Sequence, residues 1–193
     1  GFIGKAFDIN ESRLKREELE HQATHDTLTG LFNSTSAKER ISKILKANPE
    51  NKYIMAIFDL DTFKSINDTY GHLFGDRILK QVADSLQKSA GRNSVCARMG
   101  GDEFLVLLES PEDKEKTIEH IFNSVKGCYD SVQVCISMGI AENSAVCCDY
   151  YSLFHAADEA LYFAKRLGKN RYSFYNDSMQ GTLVSMFPDE KNI

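Results

Sequence analysis

The pattern of hydrophobic and polar positions divides the chain into alternating strand-like and helix-like segments. Residues 53–58 form a near-continuous apolar run, which is typical of a central strand buried on both faces. Four other apolar runs predict further strands, at 95–99, 104–108, 132–140 and 172–175.

Helical spacing separates several of these strands. Apolar residues recur every three or four positions within 78–86, 112–125 and 153–164. Gly91 and Gly168 follow the first and third of these segments, as expected where a helix ends. The element order is therefore β, α, β, β, α, β, α, β. It predicts an α/β (α+β) fold with a central, mostly antiparallel sheet and helices on one or both faces, of the ferredoxin-like or polymerase-palm kind.

Acidic residues lie at two strand ends that this sheet would bring together. Asp59 and Asp61 end the first strand, and the tight turn 100–103 contains Asp102 and Glu103. Paired carboxylates at strand ends suit Mg²⁺, which prefers oxygen ligands, and they indicate phosphoryl or nucleotidyl transfer. Turns also favour Asp and Gly for backbone reasons, so either acidic turn taken alone would be interpreted as structural.

Polar residues suited to a nucleotide follow the first strand. The Lys64 ammonium could reach a triphosphate, while Asn67 and Asp76 could bind the edge of a purine, with the carboxylate suited to guanine. Lys165 and Lys169 are four residues apart and would share a face if the last helix extends to the second. Helix capping and a solvated helix end are the ordinary alternatives for these residues.

Segments of different composition flank this region. Residues 8–22 are dominated by charge and predict an exposed helix. We expect a linker or signalling helix over 1–23, the main domain over 24–176 and a poorly ordered tail over 177–193. A solvated connector is the alternative for the first segment, because only two heptads follow the 4-3-4 spacing of a coiled-coil seam: Ile3, Phe7, Asn10 and Leu14.

Composition excludes several classes of protein. The 193 residues include 23 basic and 28 acidic side chains, for a net charge of −5. Without a basic run, polymeric nucleic acid is not an expected partner. No apolar stretch approaches the roughly 18 residues of a membrane span, so this chain should make no membrane contact. The five cysteines lack disulfide-framework or zinc spacing and fit a reducing cytoplasm. The chain does not begin with Met, so we expect it to be part of a longer protein. In one arrangement of that protein, a segment upstream of this chain anchors it to a membrane.

The chain closely resembles the GGDEF family of diguanylate cyclases, whose signature stands at Gly100-Gly101-Asp102-Glu103-Phe104. The resemblance extends over about residues 24 to 176 and implies a nucleotidyl cyclase fold. It implies condensation of two GTP molecules into cyclic di-GMP, with release of two pyrophosphates, by the output domain of a bacterial signalling protein. Further blocks follow in family order at 26–33, 59–72, 75–76, 137–141, 157–165 and 168–171.

The resemblance also implies a role for each candidate residue. Asp59, the Leu60 carbonyl and Asp102 would hold divalent metal, Mg²⁺ or Mn²⁺. Asp102 or Glu103 would assist deprotonation of the ribose 3′-hydroxyl, and Lys64 would also take part in catalysis. Gly100 and Gly101 would allow close approach of the substrate. Two groups would bind GTP: Asn67 and Asp76 at guanine; and Lys64, Lys165, Lys169 and the backbone near Thr62 and Phe63 at the phosphates.

The expected product joins two GTP molecules, whereas one domain binds one. Catalysis would therefore need a homodimer in which two domains face each other across a two-fold axis. An isolated domain should be weakly active unless something dimerises it. The N-terminal helix is the candidate, since in this family such a helix often leads in from a sensor domain, which is absent here.

Three positions depart from the family pattern. Many members have an Arg-x-x-Asp pair shortly before the signature, where it binds inhibitory product. The corresponding segment here, 91–94, lacks the Asp and has Arg92 out of register, so we expect no product inhibition at this site. Ser34 and Lys169 stand where Arg is common, and a lysine retains the charge without bidentate phosphate binding.

Two alternatives to a diguanylate cyclase stay open. One is a catalytically weak GTP-binding regulatory module that signals by binding or by dimerising. The other is a cyclase of relaxed base choice, which Asp76 disfavours because a carboxylate repels the acceptor N1 of adenine.

Overall fold

A computed structural model describes Lys15, Leu19 and residues 21–145 and 147–179 of the chain. Lys15, Leu19 and 21–24 are helical, in agreement with the helix predicted before the main domain. The predicted coiled-coil seam and most of the predicted tail lie outside the described residues.

Seven strands in the described part of the chain form one sheet, ordered β1-β3-β4-β2-β6-β5, with β7 also paired to β6. β1 pairs with β3, and β7 with β6, in parallel, whereas the four other pairings are antiparallel. This confirms the predicted mostly antiparallel sheet with a buried central strand, β2. The strands are β1 (Phe32–Asn33), β2 (Tyr53–Asp61), β3 (Val95–Gly100), β4 (Glu103–Glu109), β5 (Gly127–Tyr129), β6 (Val132–Glu142) and β7 (Tyr172–Phe174).

Five helices cover both faces of this sheet. They are α1 (Ser34–Ala47), α2 (Phe63–Tyr70), α3 (His72–Ala90), α4 (Lys114–Val125) and α5 (Tyr150–Arg166), followed by a 3₁₀ turn at Asp177–Met179. The predicted helices correspond to α3, α4 and α5, and Gly91 ends α3 at a φ of 81°. Among the described residues, no helix is both long enough and apolar enough to cross a membrane.

The sequence pattern missed α1 and α2, and it missed the two short strands β1 and β5, neither of which contains a buried residue. The buried residues of α1 recur every fourth position, at Ala37, Ile41 and Leu45, which gives a narrow apolar stripe on a largely polar helix. The Asn33 side chain caps α1 by accepting a hydrogen bond from the Ser36 amide at 2.9 Å. α2 has a single fully packed residue, Ile66, so its periodicity is too weak to detect.

Alternation along β2 separates two hydrophobic layers. Met55 and Ile57 pack with α1 and α5, whereas Ala56 and Phe58 pack with α3 and α4. Because side chains alternate along a strand, Asp59 belongs to the α5 side of the sheet. The two layers therefore fix which helix can reach the acidic end of β2.

A glycine brings α5 unusually close to the sheet. A Cβ atom on Gly139 of β6 would lie 2.1 Å from both the Ala157 carbonyl oxygen and the Leu161 amide nitrogen of α5. The helix backbone therefore rests directly on the strand. Lys165 follows one turn after Leu161, so this contact sets its position over the end of β2.

Candidate active site

The sheet brings the two acidic segments together. Asp59 on β2 stands opposite Glu103 on β4 in the antiparallel register. Asp102 lies in the turn just before β4, and its carbonyl accepts a hydrogen bond from the Leu60 amide at 3.3 Å. The strand pairing thus places both metal-ligand candidates, Asp59 and Asp102, at one edge of the sheet.

Asp59 has one occupied and one open carboxylate oxygen. Its Oδ2 forms an ion pair with Lys165 Nζ from α5. Its Oδ1 is buried and has no hydrogen-bond partner within the described part of the chain. Burial raises the pKa of Asp59, the ion pair with Lys165 opposes this, and the nearby Asp102 and Asp61 charges add to the increase. An open buried oxygen of this kind is unfavourable unless a cation or donor occupies it.

The oxygen ligands available at this edge of the sheet suit a hard divalent cation. Asp59 Oδ1, the Asp102 carboxylate and the Leu60 carbonyl supply oxygen alone, which suits Mg²⁺ better than softer metals. No group of three or more His, Cys, Asp or Glu side chains arranged for a metal occurs among the described residues. A cation here would therefore complete its coordination with water and substrate phosphate, as Mg²⁺ usually does.

The signature turn between β3 and β4 is held by an arginine. Arg98 donates to the Gly101 carbonyl from Nε at 2.9 Å and from Nη2 at 2.6 Å, and its Nη1 lies 3.2 Å from Asp26 Oδ1. Gly101 has a φ of 54°, and the strand register shifts between Arg98 and Gly100. Burial raises the pKa of Glu103, which Lys165 opposes and the Asp59, Asp102 and Asp158 charges reinforce.

The start of α2 presents free amide groups beside β2. Thr62 adopts a left-handed φ of 66°, which turns the chain from β2 directly into α2. The first backbone amides bonded within this turn are those of Ser65 and Ile66, which donate to the Thr62 carbonyl. The amides of Phe63 and Lys64 precede them in the first helical turn, where an anion can be bound. The Lys64 side chain is exposed.

Asn67 and Asp76 lie where α2 and α3 meet. A Cβ atom on Gly75 would lie 2.0 Å from Asn67 Oδ1 and 3.1 Å from Phe63 Cζ, so glycine makes room for the Asn67 amide. Asn67 Oδ1 is buried without a hydrogen-bond partner in the described structure. Asp76 follows Gly75 and is half-buried. The two guanine-binding candidates are thus brought to neighbouring helices.

Lys165 and Lys169 do not share a helix face, because the last helix does not extend to the second lysine. α5 ends at Arg166, and Lys169 lies in the following turn with a left-handed φ of 61°. The cause is Gly168, whose φ of 112° breaks the helix before Lys169. Lys165 alone of the pair extends from α5 to Asp59.

Sequence reasoning did not foresee the role of Asp61. Its Oδ1 accepts a hydrogen bond from Ser137 Oγ at 2.8 Å and its Oδ2 accepts one from the Asn170 amide at 2.9 Å. Both oxygens are therefore used by the protein, in contrast to Asp59. The signal available in the sequence was the block 168–171, whose contact with β2 only the fold reveals.

Comparison with known proteins points to one family. The model of the diguanylate cyclase GGDEF domain matches residues 23–171. The chain is 33% identical over 179 residues to the cyclic di-GMP phosphodiesterase PdeR of Escherichia coli, covering 89% of this chain and 27% of that protein. It is 34% identical over 167 residues to the diguanylate cyclase DgcP of Pseudomonas aeruginosa, covering 80% of this chain and 24% of that protein. It thus spans about a quarter of the length of these relatives.

A solved structure shows the same fold. The coiled coil and GGDEF domain of DgcB from Caulobacter crescentus, in complex with c-di-GMP, superposes with a TM-score of 0.78 at 26% identity. The alignment covers 90% of this chain and 96% of that one. The predicted palm-like nucleotidyl cyclase fold is confirmed.

Proposed function

Because the chain belongs to the GGDEF family of diguanylate cyclases, we propose that it condenses two GTP molecules into cyclic di-GMP and releases two pyrophosphates. The observation that supports this most directly is the meeting of Asp59 and Asp102 at one sheet edge, with Lys165 beside them. In the proposed setting, the domain works in the cytoplasm as the output of a longer signalling protein with an upstream sensor.

Mg²⁺, or Mn²⁺ in its place, would be held by Asp59, the Leu60 carbonyl and Asp102. When bound, the metal neutralises phosphate charge and favours loss of a proton from the attacking hydroxyl. The open Oδ1 of Asp59 supports this assignment, because it is a buried anionic oxygen that no described protein group satisfies.

The phosphates would be bound by cationic and amide groups from two sides of the site. Lys165 forms an ion pair with Asp59 in the free protein, and it would exchange this carboxylate for a substrate phosphate. Lys64, Lys169 and the first amides of α2 at Phe63 and Lys64 would supply the remaining donors. Positioning and charge neutralisation of this kind account for most of the rate in phosphoryl transfer.

Glu103 would act as a proton acceptor in the signature turn. Its pKa is raised by burial, against the effect of Lys165, and a higher pKa makes a carboxylate a stronger base towards the ribose 3′-hydroxyl. Asp102 would assist from the same turn while it binds metal. Gly100 and Gly101 have positive φ angles that favour glycine, and their lack of side chains would leave room for the approaching substrate.

Asn67 and Asp76 would select guanine. The amide can donate to and accept from a purine edge, and the carboxylate accepts from N1–H and the exocyclic amine of guanine. Asp76 would repel the acceptor N1 of adenine, so we propose GTP rather than ATP as the substrate.

The experiment compares the wild type with Asp102→Asn in GTP, in GTP plus ATP, and with or without Mg²⁺, and identifies products by mass spectrometry. We expect cyclic di-GMP from the wild type with Mg²⁺ and at least a roughly hundredfold lower rate from the variant. Asp84→Asn removes an exposed carboxylate from α3 and serves as the matched control. Equal rates in Asp102→Asn and the wild type would contradict the proposal.

We further propose that the product does not inhibit through the segment 91–94. Asn93 and Ser94 offer no carboxylate there, although a cavity of about 560 Å³ lies beside Lys88 and Arg92. Initial rates measured with added cyclic di-GMP should remain unchanged. Inhibition that Arg92→Ala abolishes would show that this cavity binds product after all.

A regulatory module that binds GTP without turnover is the second candidate. It is favoured by one observation, that the similar protein PdeR is named as a phosphodiesterase rather than a cyclase. Binding of GTP with no dinucleotide formed, even when two copies are joined through their N-termini, would replace the cyclase proposal with this one.

A further inference from the structure

Asp61 is a buried carboxylate that joins three elements. Its side chain lies at the end of β2 with 6% of the residue exposed. Ser137, which donates to Oδ1, is a fully buried residue of β6. Asn170, whose amide donates to Oδ2, belongs to the turn that follows α5. A carboxylate tolerates burial when donors satisfy both oxygens, and this one has a donor on each.

The turn after α5 has an uncommon backbone conformation. Three consecutive residues have positive φ angles: Gly168 at 112°, Lys169 at 61° and Asn170 at 48°. Residues with side chains disfavour this region, and two in succession persist where the surrounding structure holds them. The Gly168 and Lys169 amides bond back to carbonyls of α5, whereas the Asn170 amide bonds across to Asp61 on the sheet.

We propose that Asp61 is a positioning residue that acts through Lys169. By holding the Asn170 amide, it fixes the turn from which the Lys169 side chain extends towards the phosphates. Asp61 does not itself touch substrate or metal in this scheme, because both of its oxygens are already bonded. The inference rests on the proposed function, in which Lys169 binds a GTP phosphate.

The first test measures the dissociation constant of a non-hydrolysable GTP analogue with Mg²⁺ by calorimetry. We expect Asp61→Ala to weaken binding about tenfold, the effect of losing one hydrogen bond to a charged group. Asp61→Asn should restore most of the affinity, because its amide oxygen can accept from Asn170 while its NH₂ group donates to Ser137 Oγ. Asp84→Ala, which removes a distant exposed carboxylate, should bind as the wild type does.

The second test is a double-mutant cycle between Asp61→Ala and Lys169→Ala. If Asp61 acts through Lys169, the double variant should lose no more affinity than Lys169→Ala alone. Losses that simply add would overturn the proposal, since Asp61 would then contribute by some other route.

The third test observes the Asn170 amide directly by NMR hydrogen exchange and does not depend on nucleotide. In the wild type this amide should be protected although Asn170 itself is exposed, and Asp61→Ala should accelerate its exchange at least about tenfold. The Leu86 amide in α3 is the internal control. An unprotected wild-type Asn170 amide would overturn the proposal even if Asp61→Ala failed to fold.

Failure of this inference can be told apart from failure of the proposed function. A wild type that binds no GTP analogue would overturn both. A wild type that binds the analogue, with Asp61→Ala binding it equally well, would overturn the positioning role alone.

Discussion

Two carboxylates two residues apart on the same side of β2 have opposite environments. Asp59 keeps a buried oxygen without a partner, whereas Asp61 has both oxygens bonded to protein donors. The residue pattern alone predicted an acidic strand end and could not tell the two apart, because the donors to Asp61 come from residues 76 and 109 positions away. Only the family resemblance pointed to Asp59 as the metal ligand. Which carboxylate remains available for a cation is therefore decided by tertiary contacts.

Asp59 should reduce stability at neutral pH when metal is absent. Burial raises its pKa above the ordinary value of 3.8, so the folded state favours the protonated form. The contribution of protonated Asp59 to the free energy of unfolding is complete below pH 3.8. It is lost as the pH rises through the raised pKa of the folded state. Asp59→Asn should consequently be more stable than the wild type at neutral pH, and the difference should disappear below pH 3.8.

Urea denaturation with a chelator present, followed across this pH range, measures the difference. Asp84→Asn controls for the loss of one negative charge at an exposed position. A wild type more stable than Asp59→Asn at neutral pH would mean that the Lys165 ion pair outweighs the burial of Asp59.

Gly75 should control nucleotide affinity through Asn67. In Gly75→Ala the new methyl group would displace the Asn67 side chain, whose Oδ1 lies 2.0 Å from the Cβ position. Because Asn67 can rotate away, we expect the free energy of unfolding to change by less than about 1 kcal/mol. Affinity for a GTP analogue should fall about tenfold, as for the loss of one or two hydrogen bonds.

Calorimetry on Gly75→Ala, Asn67→Ala and the double variant tests this interpretation. The double variant should bind no more weakly than Asn67→Ala, since both changes remove the same contact. A large loss of stability in Gly75→Ala, with nucleotide affinity unchanged, would show instead that the glycine serves helix packing.

At the scale of elements, the contact between α5 and β6 positions the site. The helix lies against Gly139 by its backbone, and Lys165 then extends over the end of β2. Five of the seven described strands and three helices followed from apolar runs and hydrophobic periodicity, because each buries a regular apolar pattern. The β3–β4 turn followed from its two glycines. α1, α2, β1 and β5 bury too few residues to give such a pattern, whereas Gly168 correctly predicted that α5 ends before Lys169.

Gly139→Ala should therefore destabilise the protein and disturb the site together. A Cβ atom 2.1 Å from two backbone atoms of α5 cannot be accommodated by side-chain rotation, so the helix must move. We expect a loss of about 2 kcal/mol or more in the free energy of unfolding, measured by urea denaturation.

Gly127→Ala is the matched control, because a Cβ atom at Gly127 meets nothing within 4 Å. Gly127→Ala should keep nearly the wild-type free energy of unfolding, so most of the loss expected in Gly139→Ala should separate the two variants. Similar stability in both would contradict the close approach of α5 to β6.

At the scale of the whole molecule, one domain supplies one set of the proposed GTP-binding residues, while the proposed product needs two GTP molecules. The rate per chain should therefore rise with protein concentration until two domains are paired. Joining two copies through an N-terminal leucine zipper should remove this dependence. Rates per chain that stay constant from low to high concentration in an analytically monomeric sample would contradict catalysis across a dimer.

Arg98 links the beginning of the domain to its signature turn, with Asp26 at one end of the guanidinium and the Gly101 carbonyl at the other. For protein engineering, this link sets where the GGDEF domain can be cut. A chimaera that joins a new input module downstream of Asp26 would leave Arg98 without its carboxylate partner and the turn before Asp102 less firmly held. Fusions made upstream of residue 23, where the family match begins, keep the link intact. They should therefore allow exchange of an upstream module without redesign of the signature turn.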